Sequence, residues 1–108
     1  MENTTVSEGK TIAIISYITW IGTLIAFIMN NEKKNSFASF HIRQMIGLII
    51  LQFIEALIRG FVNGYLGYAI WVFALVLWII GIIGAVQGEE KKVPLLGDQF
   101  QDWFKSIG

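Results

Sequence analysis

The sequence predicts an all-α membrane protein with three transmembrane helices and a C-terminal amphipathic helix at the membrane interface. Three long apolar runs, at residues 11–29, 42–58 and 66–87, occupy more than half of the 108 residues. Each run approaches the roughly 20 residues with which a helix crosses the hydrocarbon core. Hydrophobic residues make up 55% of the chain and the mean hydropathy is +0.61. A small soluble core cannot bury three such runs, so residues 1–108 are interpreted as one helical membrane domain.

The first apolar run is interpreted as a retained transmembrane helix rather than a signal peptide. Residues 11–29 contain no Asp, Glu, Lys, Arg or His, and the ten residues before them carry one cation and two acids. No small-residue cleavage site ends the run, so the pattern of a signal peptide is missing. Three hydroxyl residues share a helical face and are expected to form hydrogen bonds with other helices: Ser16, Thr19 and Thr23.

The second apolar run, residues 42–58, carries a stripe of polar side chains along one helical face, which begins at His41 just before the run. At 100° per residue, five polar side chains point in directions within about 60° of that of His41 around the helix axis: His41, Gln44, Gln52, Glu55 and Arg59. Polar groups at membrane depth indicate either function or burial inside the helix bundle. We therefore expect the stripe to line a polar path or, more simply, to form hydrogen bonds with the other spans, and not to face lipid.

Charged and titratable residues near this run have more specific expected roles. Glu55 and Arg59 are i,i+4 neighbours in the favourable order and are expected to form an ion pair. Arg43 lies almost opposite the stripe, where its long side chain can reach lipid headgroups. His41 is interpreted as a hydrogen-bonding anchor, with a pH sensor or a metal ligand as the alternatives.

The third apolar run carries small residues on one face. Residues 66–87 include no charged side chain. The pairs Gly81/Ala85 and Gly84/Gly88 have the small-xxx-small spacing that permits close approach of two helices. We expect this face to pack within the chain, with homodimerisation as the alternative.

The segment at residues 95–107 is predicted to form an amphipathic helix. Its apolar side chains fall on one helical face: Leu96, Phe100, Trp103, Phe104 and Ile107. The segment is too short to cross a bilayer. We expect it to lie at the membrane interface or against the loops of the same chain, with Trp103 buried.

The placement of cations predicts an orientation. If the chain has three spans, six of its eight cations lie beside the first loop or in the C-terminal segment, and two lie on the other side. Cytoplasmic loops carry an excess of Lys and Arg. This bias predicts a multi-pass protein of the inner (cytoplasmic) membrane, with the N-terminus outside and the C-terminus in the cytoplasm.

Composition argues against several classes of function. Eight cations balance eight acids, so the chain lacks the basic field of a nucleic-acid-binding protein. With no Cys and one His, thiol chemistry and a multi-histidine metal site within one chain are excluded. No catalytic constellation or phosphate-binding loop is present. We expect no catalytic residue, no cofactor and no metal. The expected partners are membrane lipids, further copies of the chain or other membrane subunits, and no nucleic acid.

The segment Phe40-His41-Ile42-Arg43-Gln44 resembles the FHxRQ signature of a bacterial family of small membrane proteins with a domain of unknown function. That family is similar to the twenty-kilodalton import component of the chloroplast inner-envelope translocon. Ser16-Tyr17 and Trp20-Ile21-Gly22 agree with the resemblance, which covers about residues 12–104. It implies a helical integral membrane protein and, from the chloroplast relatives, a subunit of a protein-conducting complex with four spans. The present chain departs from those relatives, because it has three predicted spans.

Together these features favour a small integral membrane protein that is a subunit or accessory of a membrane assembly and is translocon-like. One alternative is a self-assembling channel or small-solute transporter lined by Gln52, Glu55 and Arg59. The other is a lipid-interacting regulatory protein that acts through its C-terminal helix. In all three cases we expect no enzymatic activity.

Overall fold

The computed structural model describes residues 2–107, with side chains from Thr5 onward, and this range is helical and contains no strand. In chain order the helices are α1 (Glu2–Ile18), α2 (Trp20–Lys33), α3 (Ser36–Phe61), α4 (Gly64–Gln87) and α5 (Gly97–Trp103). The described chain measures 47 × 23 × 22 Å. Its long axis matches the thickness of a bilayer together with its headgroup regions.

Helices α3 and α4 form an antiparallel pair in which each helix is long and apolar enough to cross a membrane. They contain 26 and 24 residues, which gives lengths of about 36–39 Å at 1.5 Å per residue. Asn63 starts α4 by accepting hydrogen bonds from the Tyr65 and Leu66 amides at 2.8 and 3.1 Å. Gly67 packs directly on the Arg59 backbone, so the two helices are in close contact beside the turn.

The predicted first span is not a single helix. It is divided at Thr19, whose extended backbone (φ −154°, ψ 176°) separates α1 from α2. The chain reverses there: the Thr23 hydroxyl donates to the Ser16 carbonyl at 2.7 Å, and the Asn35 side chain donates to the Thr5 carbonyl at 2.8 Å. Helices α1 and α2 are therefore an antiparallel hairpin that returns to the side from which it entered. Among the described helices, α3 and α4 alone have the length and hydropathy of a span.

Local sequence explains why the helix breaks at this point. Thr19 is the N-cap of α2, and its Oγ1 accepts the Gly22 amide at 3.2 Å. A Cβ at Gly22 would clash with the Ile15 carbonyl oxygen, so the close approach of the two helices requires glycine. Trp78 of α4 donates its indole N–H to the Tyr17 carbonyl at 2.7 Å, which satisfies a carbonyl left without a partner at the end of α1.

The described chain begins and ends on the same face of the molecule as the α2–α3 loop. Asn35 in that loop contacts Thr5, and Val6 lies beside Gly88 at the end of α4. This arrangement differs from the predicted topology, which placed the two termini on opposite sides of the membrane. That prediction assumed that residues 11–29 cross the membrane once, whereas the hairpin turns back at its midpoint.

This reversal changes the distribution of charge. Lys10 lines a cleft with Gln87 and Gly88, on the face that carries the chain ends. Seven of the eight cations now lie on this face, which we call the terminal face, and Arg59 lies at the opposite end of α3. The seven are Lys10, Lys33, Lys34, Arg43, Lys91, Lys92 and Lys105.

The C-terminal helix is shorter than predicted and buries a different residue. Helix α5 covers seven residues, Gly97–Trp103. Phe100 is 4% exposed, and its ring lies over Gly47 so closely that any Cβ at Gly47 would clash with it. The contact face of α5 is centred on Phe100 and Phe104, whose ring centroids are 6.5 Å apart. Trp103 lies at the edge of that face and is 65% exposed, so it is not buried against the chain, and its burial at the membrane interface stays a prediction.

Candidate functional site

The signature residues His41 and Gln44 are fully buried in the first turns of α3, next to the terminal face. The Asn35 side chain caps this helix by accepting the Ala38 amide at 3.0 Å. Asn30 fixes that cap in turn, because its side chain accepts the Asn35 amide at 2.8 Å and donates to Ser39 Oγ at 2.8 Å. The entrance of α3 is therefore rigidly positioned by hydrogen bonds from α2.

A continuous chain of four hydrogen bonds runs through the signature. The Val93 amide donates to Gln44 Oε1 at 2.7 Å, and Gln44 Nε2 donates to the Tyr17 hydroxyl at 3.0 Å. The distances from the Tyr17 hydroxyl to His41 Nδ1 and from His41 Nε2 to the Glu89 carbonyl are 2.6 and 2.9 Å. A carbonyl can only accept, so Nε2 of His41 carries the proton and Nδ1 accepts from Tyr17. These four hydrogen bonds connect α1, α3 and the segment after α4.

His41 is enclosed by aromatic rings. The rings of Phe37, Phe40 and Tyr17 meet it edge-on, with centroid distances of 4.8, 5.0 and 5.4 Å. Because both ring nitrogens are bonded to protein atoms, neither is directed at a ligand, and the geometry favours the anchor interpretation over a metal ligand. Between residues 5 and 107 no three His, Asp or Glu side chains converge as a metal site would require.

The other signature residues hold the C-terminal segment. Arg43 Nε donates to the Ile107 carbonyl at 3.0 Å, and Arg43 Nη2 donates to the Lys105 carbonyl at 2.9 Å. Gln101 donates to the Phe40 carbonyl at 2.8 Å. Arg43, for which lipid headgroups were the expected partners, therefore contacts the chain itself. Every polar side chain of the signature bonds to atoms between residues 89 and 107 or to a residue that does.

The predicted polar stripe is divided in the structure. Glu55 and Arg59 meet at 3.2 Å between Oε1 and Nε, near the end of α3 farthest from the signature. The contact lacks the alignment of a hydrogen bond, and Oε1 has no other partner among the described residues. The Glu55 side chain is 4% exposed, whereas that of Arg59 is 59% exposed. The buried carboxylate thus depends on a cation that solvent or headgroups also reach.

Gln52, between these two clusters, lies on the outside of the bundle. It lines a lateral groove of about 590 Å³ whose floor is the tip of the α1–α2 hairpin and whose walls are α3 and α4. No hydrogen-bond partner for its amide exists within the described part of the chain. Gln52 therefore does not bond to the other helices of its own chain, and the expectation that it does not face lipid stays a prediction. We call this cavity the tip groove; its lining is Ile18, Thr19, Trp20, Met45, Ile49, Gln52, Phe53, Ala56, Trp71, Leu75 and Trp78.

The small residues of α4 are in contact with other parts of the same chain. A Cβ at Gly81 would lie 2.8 Å from the Tyr17 ring, and one at Gly84 would lie 2.9 Å from Lys91 Cβ. Ala85 is fully buried, and Gly88 ends α4 in the left-handed conformation at φ 76°. This face therefore packs against α1 and against the segment after α4, and it leaves no room for a second chain.

Sequence reasoning missed Tyr17 and the tip groove. Tyr17 is the central member of the hydrogen-bond chain, yet its hydroxyl is directed at His41 only because the hairpin folds back. The available signal was the pattern Thr19-Trp20-x-Gly22, a capping residue followed three positions later by glycine. That pattern marks a helix start inside an otherwise uninterrupted apolar run.

Comparison with known proteins places the fold in a family context. The model of the MamF/MmsF family, described as a magnetosome magnetite crystal formation protein family, matches residues 7–100. A UPF0132 membrane protein of Methanocaldococcus jannaschii is 29% identical over 91 residues, which are 82% of this chain and 64% of that relative. The match therefore spans less than two thirds of the relative's length. No solved structure matches the chain. Neither match shows the similarity to the chloroplast import component that the signature implied.

Proposed function

We propose that this chain, which belongs to the MamF/MmsF magnetosome magnetite crystal formation family, is a small structural subunit of a membrane assembly and binds a transmembrane helix in its tip groove. The matched proteins support a small membrane protein. A translocon-like role is not part of the proposal, because neither match supports it. The family description names magnetite crystal formation, to which such a subunit would contribute by organising other membrane components.

The internal use of the signature supports a structural role. The side chains of Tyr17, His41 and Gln44 are occupied by one another and by the backbone of residues 89–93. Arg43 is occupied by the Lys105 and Ile107 carbonyls. These groups hold the C-terminal segment in place and are not free to bind a substrate. The tip groove lies outside this network and remains available for recognition.

The observation that carries the proposal is the unpartnered amide of Gln52 at membrane depth. Helix α3 runs from Ser36 to Phe61, so Gln52 lies about 5 Å from its midpoint at 1.5 Å per residue. Acyl chains cannot accept or donate hydrogen bonds, so a polar group at this depth requires a protein partner or water. Amide side chains commonly form hydrogen bonds between transmembrane helices. A helix with a polar side chain at the same depth fits the groove.

The charge distribution supports an orientation for this subunit. The terminal face carries seven of the eight cations, and positively charged flanks remain on the cytoplasmic side. We therefore propose that the N-terminus, the α2–α3 loop and the C-terminal segment all face the cytoplasm, in the cytoplasmic membrane, and that the α3–α4 turn faces outward.

Site-specific photocrosslinking in membranes tests the proposal. A photoreactive amino acid replaces Phe53, which lines the tip groove beside an intact Gln52, in one variant and Val76 in the other; Val76 lies at the midpoint of α4, is exposed and does not line the tip groove. We expect protein adducts from position 53 and lipid adducts alone from position 76. Lipid adducts alone from both positions would reject a helix-binding groove.

A further inference from the structure

We propose that a second groove, between α2 and α3, binds one anionic glycerophospholipid from the leaflet on the side of the terminal face. The lipid phosphate lies beside Lys34, and one acyl chain runs along α2. We call this cavity the α2–α3 groove; it lies between Leu24 and Phe27 of α2 and Ile46 and Ile49 of α3. The inference does not depend on what fills the tip groove.

The α2–α3 groove is apolar along its length. Its volume is about 350 Å³. The one hydroxyl among its lining residues, that of Thr23, already donates to the Ser16 carbonyl at 2.7 Å. Trp20 and Ile49 also line the tip groove, so the two cavities are neighbours. An acyl chain has no hydrogen-bonding group, so a groove without free polar groups along its walls suits it.

A polar pocket adjoins the groove at the terminal face. Its volume is about 220 Å³, and Phe27 and Ile107 line both cavities. The pocket is also lined by Asn31, Lys34 and Ser106, and none of its described lining residues is acidic. These three side chains have no hydrogen-bond partner within the described part of the chain. All three can donate to a phosphate oxygen, and lysine adds the opposite charge.

The distance between the two ends of the cavity matches one leaflet. Five lining residues follow one another at intervals of three or four along one face of α2 and its C-cap: Trp20, Leu24, Phe27, Asn31 and Lys34. This face is about 21 Å long at 1.5 Å per residue. Half of a bilayer with its headgroups is about 20–22 Å thick. A lipid with its phosphate at Lys34 therefore ends its acyl chain near Trp20, at the tip of the hairpin.

The signature residue Arg43 fixes the far wall of the polar pocket. Its guanidinium donates to the Ile107 and Lys105 carbonyls at 3.0 and 2.9 Å. These bonds hold Ser106 and Ile107 opposite α2, where both residues line the pocket. Arg43 is therefore a positioning residue of the site, and the pocket is a built feature of the fold.

The backbone of Lys34 is a further observation at the same place. Lys34 ends α2 in the left-handed conformation at φ 49°. Glycine adopts this conformation without the steric cost that lysine bears, and it is the usual residue at such a position. A retained conformational cost points to a role for the side chain.

Native mass spectrometry with defined lipids tests the headgroup end. The detergent-purified protein receives equal amounts of phosphatidylglycerol and phosphatidylcholine with identical acyl chains. We expect one phosphatidylglycerol to stay bound under conditions that remove phosphatidylcholine, and Lys34→Gln to weaken this binding about fivefold. Lys33→Gln makes the same change outside the pocket lining and should weaken it much less. Equal losses in the two variants, or no preference for phosphatidylglycerol, would overturn the proposal.

Lys34→Gly separates lipid binding from folding. Glycine relieves the left-handed backbone, so the melting temperature in lipid-free detergent should stay equal or rise. Binding of phosphatidylglycerol should nevertheless fall as it does in Lys34→Gln. A lower melting temperature of Lys34→Gly would show that the lysine serves the fold and would count against a lipid site.

The acyl end has its own matched pair. Leu24→Trp fills the α2–α3 groove and should reduce lipid retention several-fold, whereas Ile25→Trp, at an exposed position outside it, should not. Glycerol 3-phosphate has the phosphate but no acyl chain and should not displace the lipid at equal concentration. Its displacement of the lipid, or unchanged retention by Leu24→Trp, would indicate a site for free phosphate and reject the lipid assignment. These positions lie outside the tip groove lining, so the proposed function is tested separately.

Discussion

At the scale of single residues, the hydroxyl group of Tyr17 joins the two buried polar side chains of the signature, His41 and Gln44. It accepts from Gln44 at 3.0 Å and lies 2.6 Å from His41 Nδ1, inside a fully buried environment. A buried polar group that loses its partner keeps its full desolvation penalty. The network is therefore sensitive to removal of one atom from its centre.

Replacement of Tyr17 by Phe should destabilise the detergent-solubilised protein by about 1–3 kcal/mol, because it leaves a buried donor and a buried acceptor without partners. Thermal unfolding followed by tryptophan fluorescence measures the effect. Tyr65→Phe makes the same chemical change at a residue that is 92% exposed and should have no effect. Equal melting temperatures for Tyr17→Phe and Tyr65→Phe would contradict the assigned network.

The Glu55–Arg59 pair predicts an asymmetric mutant cycle. Arg59→Gln leaves a buried carboxylate without its cation and should cost about 1–3 kcal/mol, whereas Glu55→Gln leaves an arginine that is 59% exposed and should cost less. The double variant should be more stable than Arg59→Gln alone, because it removes the uncompensated charge. Melting curves of the four proteins measure the cycle. Additive effects would show that the two side chains do not interact.

Part of the site follows from the sequence at this scale, and part does not. Spacing alone predicts the Glu55–Arg59 contact, since both residues lie on one helix. It also places His41 and Gln44 on one face. The sequence could not assign Tyr17, Glu89 or Val93 as their partners, because those contacts join segments that are 24 or more residues apart.

At the scale of elements, the α1–α2 hairpin distinguishes this fold from three simple spans. Non-helical backbone at membrane depth is tolerated where protein groups satisfy it or where it lines a cavity. Thr19, Thr23 and Trp78 each satisfy a backbone group near the break, and the tip of the hairpin forms the floor of the tip groove. The element that departs from the prediction is therefore the one that forms the candidate site.

Gly22→Ala should destabilise the hairpin by about 1–3 kcal/mol, since the new methyl group meets a backbone carbonyl that cannot move aside easily. Hydrogen exchange of the α1 and α2 amides reports the change locally. Gly64→Ala is the matched control, because a Cβ there has nothing within 4 Å, and it should be neutral. Similar exchange in the two variants would argue against close packing of α1 on α2.

Helix α5 contains one buried and one exposed aromatic residue, Phe100 and Trp103, and the effects of replacing them can be compared. Phe100→Ala removes the side chain that covers Gly47 and should expose the C-terminal segment to trypsin at Lys105, while the melting temperature of α3 and α4 changes little. Trp103→Ala alters a residue that is 65% exposed and should leave the cleavage rate near that of the unmodified protein. Faster cleavage of Trp103→Ala than of Phe100→Ala would reverse the assigned packing.

The apolar runs predicted α3 and α4 well, since uninterrupted hydrophobic sequence and the Asn63-Gly64 turn mark their lengths and their connection. They failed for residues 11–29, because hydropathy does not register a single extended residue such as Thr19. The amphipathic pattern of residues 95–107 located α5. It could not show which of its apolar residues is buried, because that depends on where Gly47 leaves space on α3.

At the scale of the whole molecule, the two ends of the bundle differ in width and charge. Beside the terminal face the hairpin, α3, α4 and α5 pack together, whereas α3 and α4 continue beyond the hairpin tip and leave the tip groove open at their side. Seven of the eight cations lie on the wide end. The reversal of the chain at Thr19 produces both features.

The position of the N-terminus tests this account most directly. Single cysteines are introduced as Ser7→Cys, Lys34→Cys, Ser106→Cys and Val62→Cys, all at exposed positions of a chain without native cysteine, and are treated with a membrane-impermeant thiol reagent on intact and permeabilised cells. We predict that the first three react only after permeabilisation and that Val62→Cys reacts in intact cells. Labelling of Ser7→Cys in intact cells, with Ser106→Cys protected, would show that residues 11–29 cross the membrane and would contradict the hairpin.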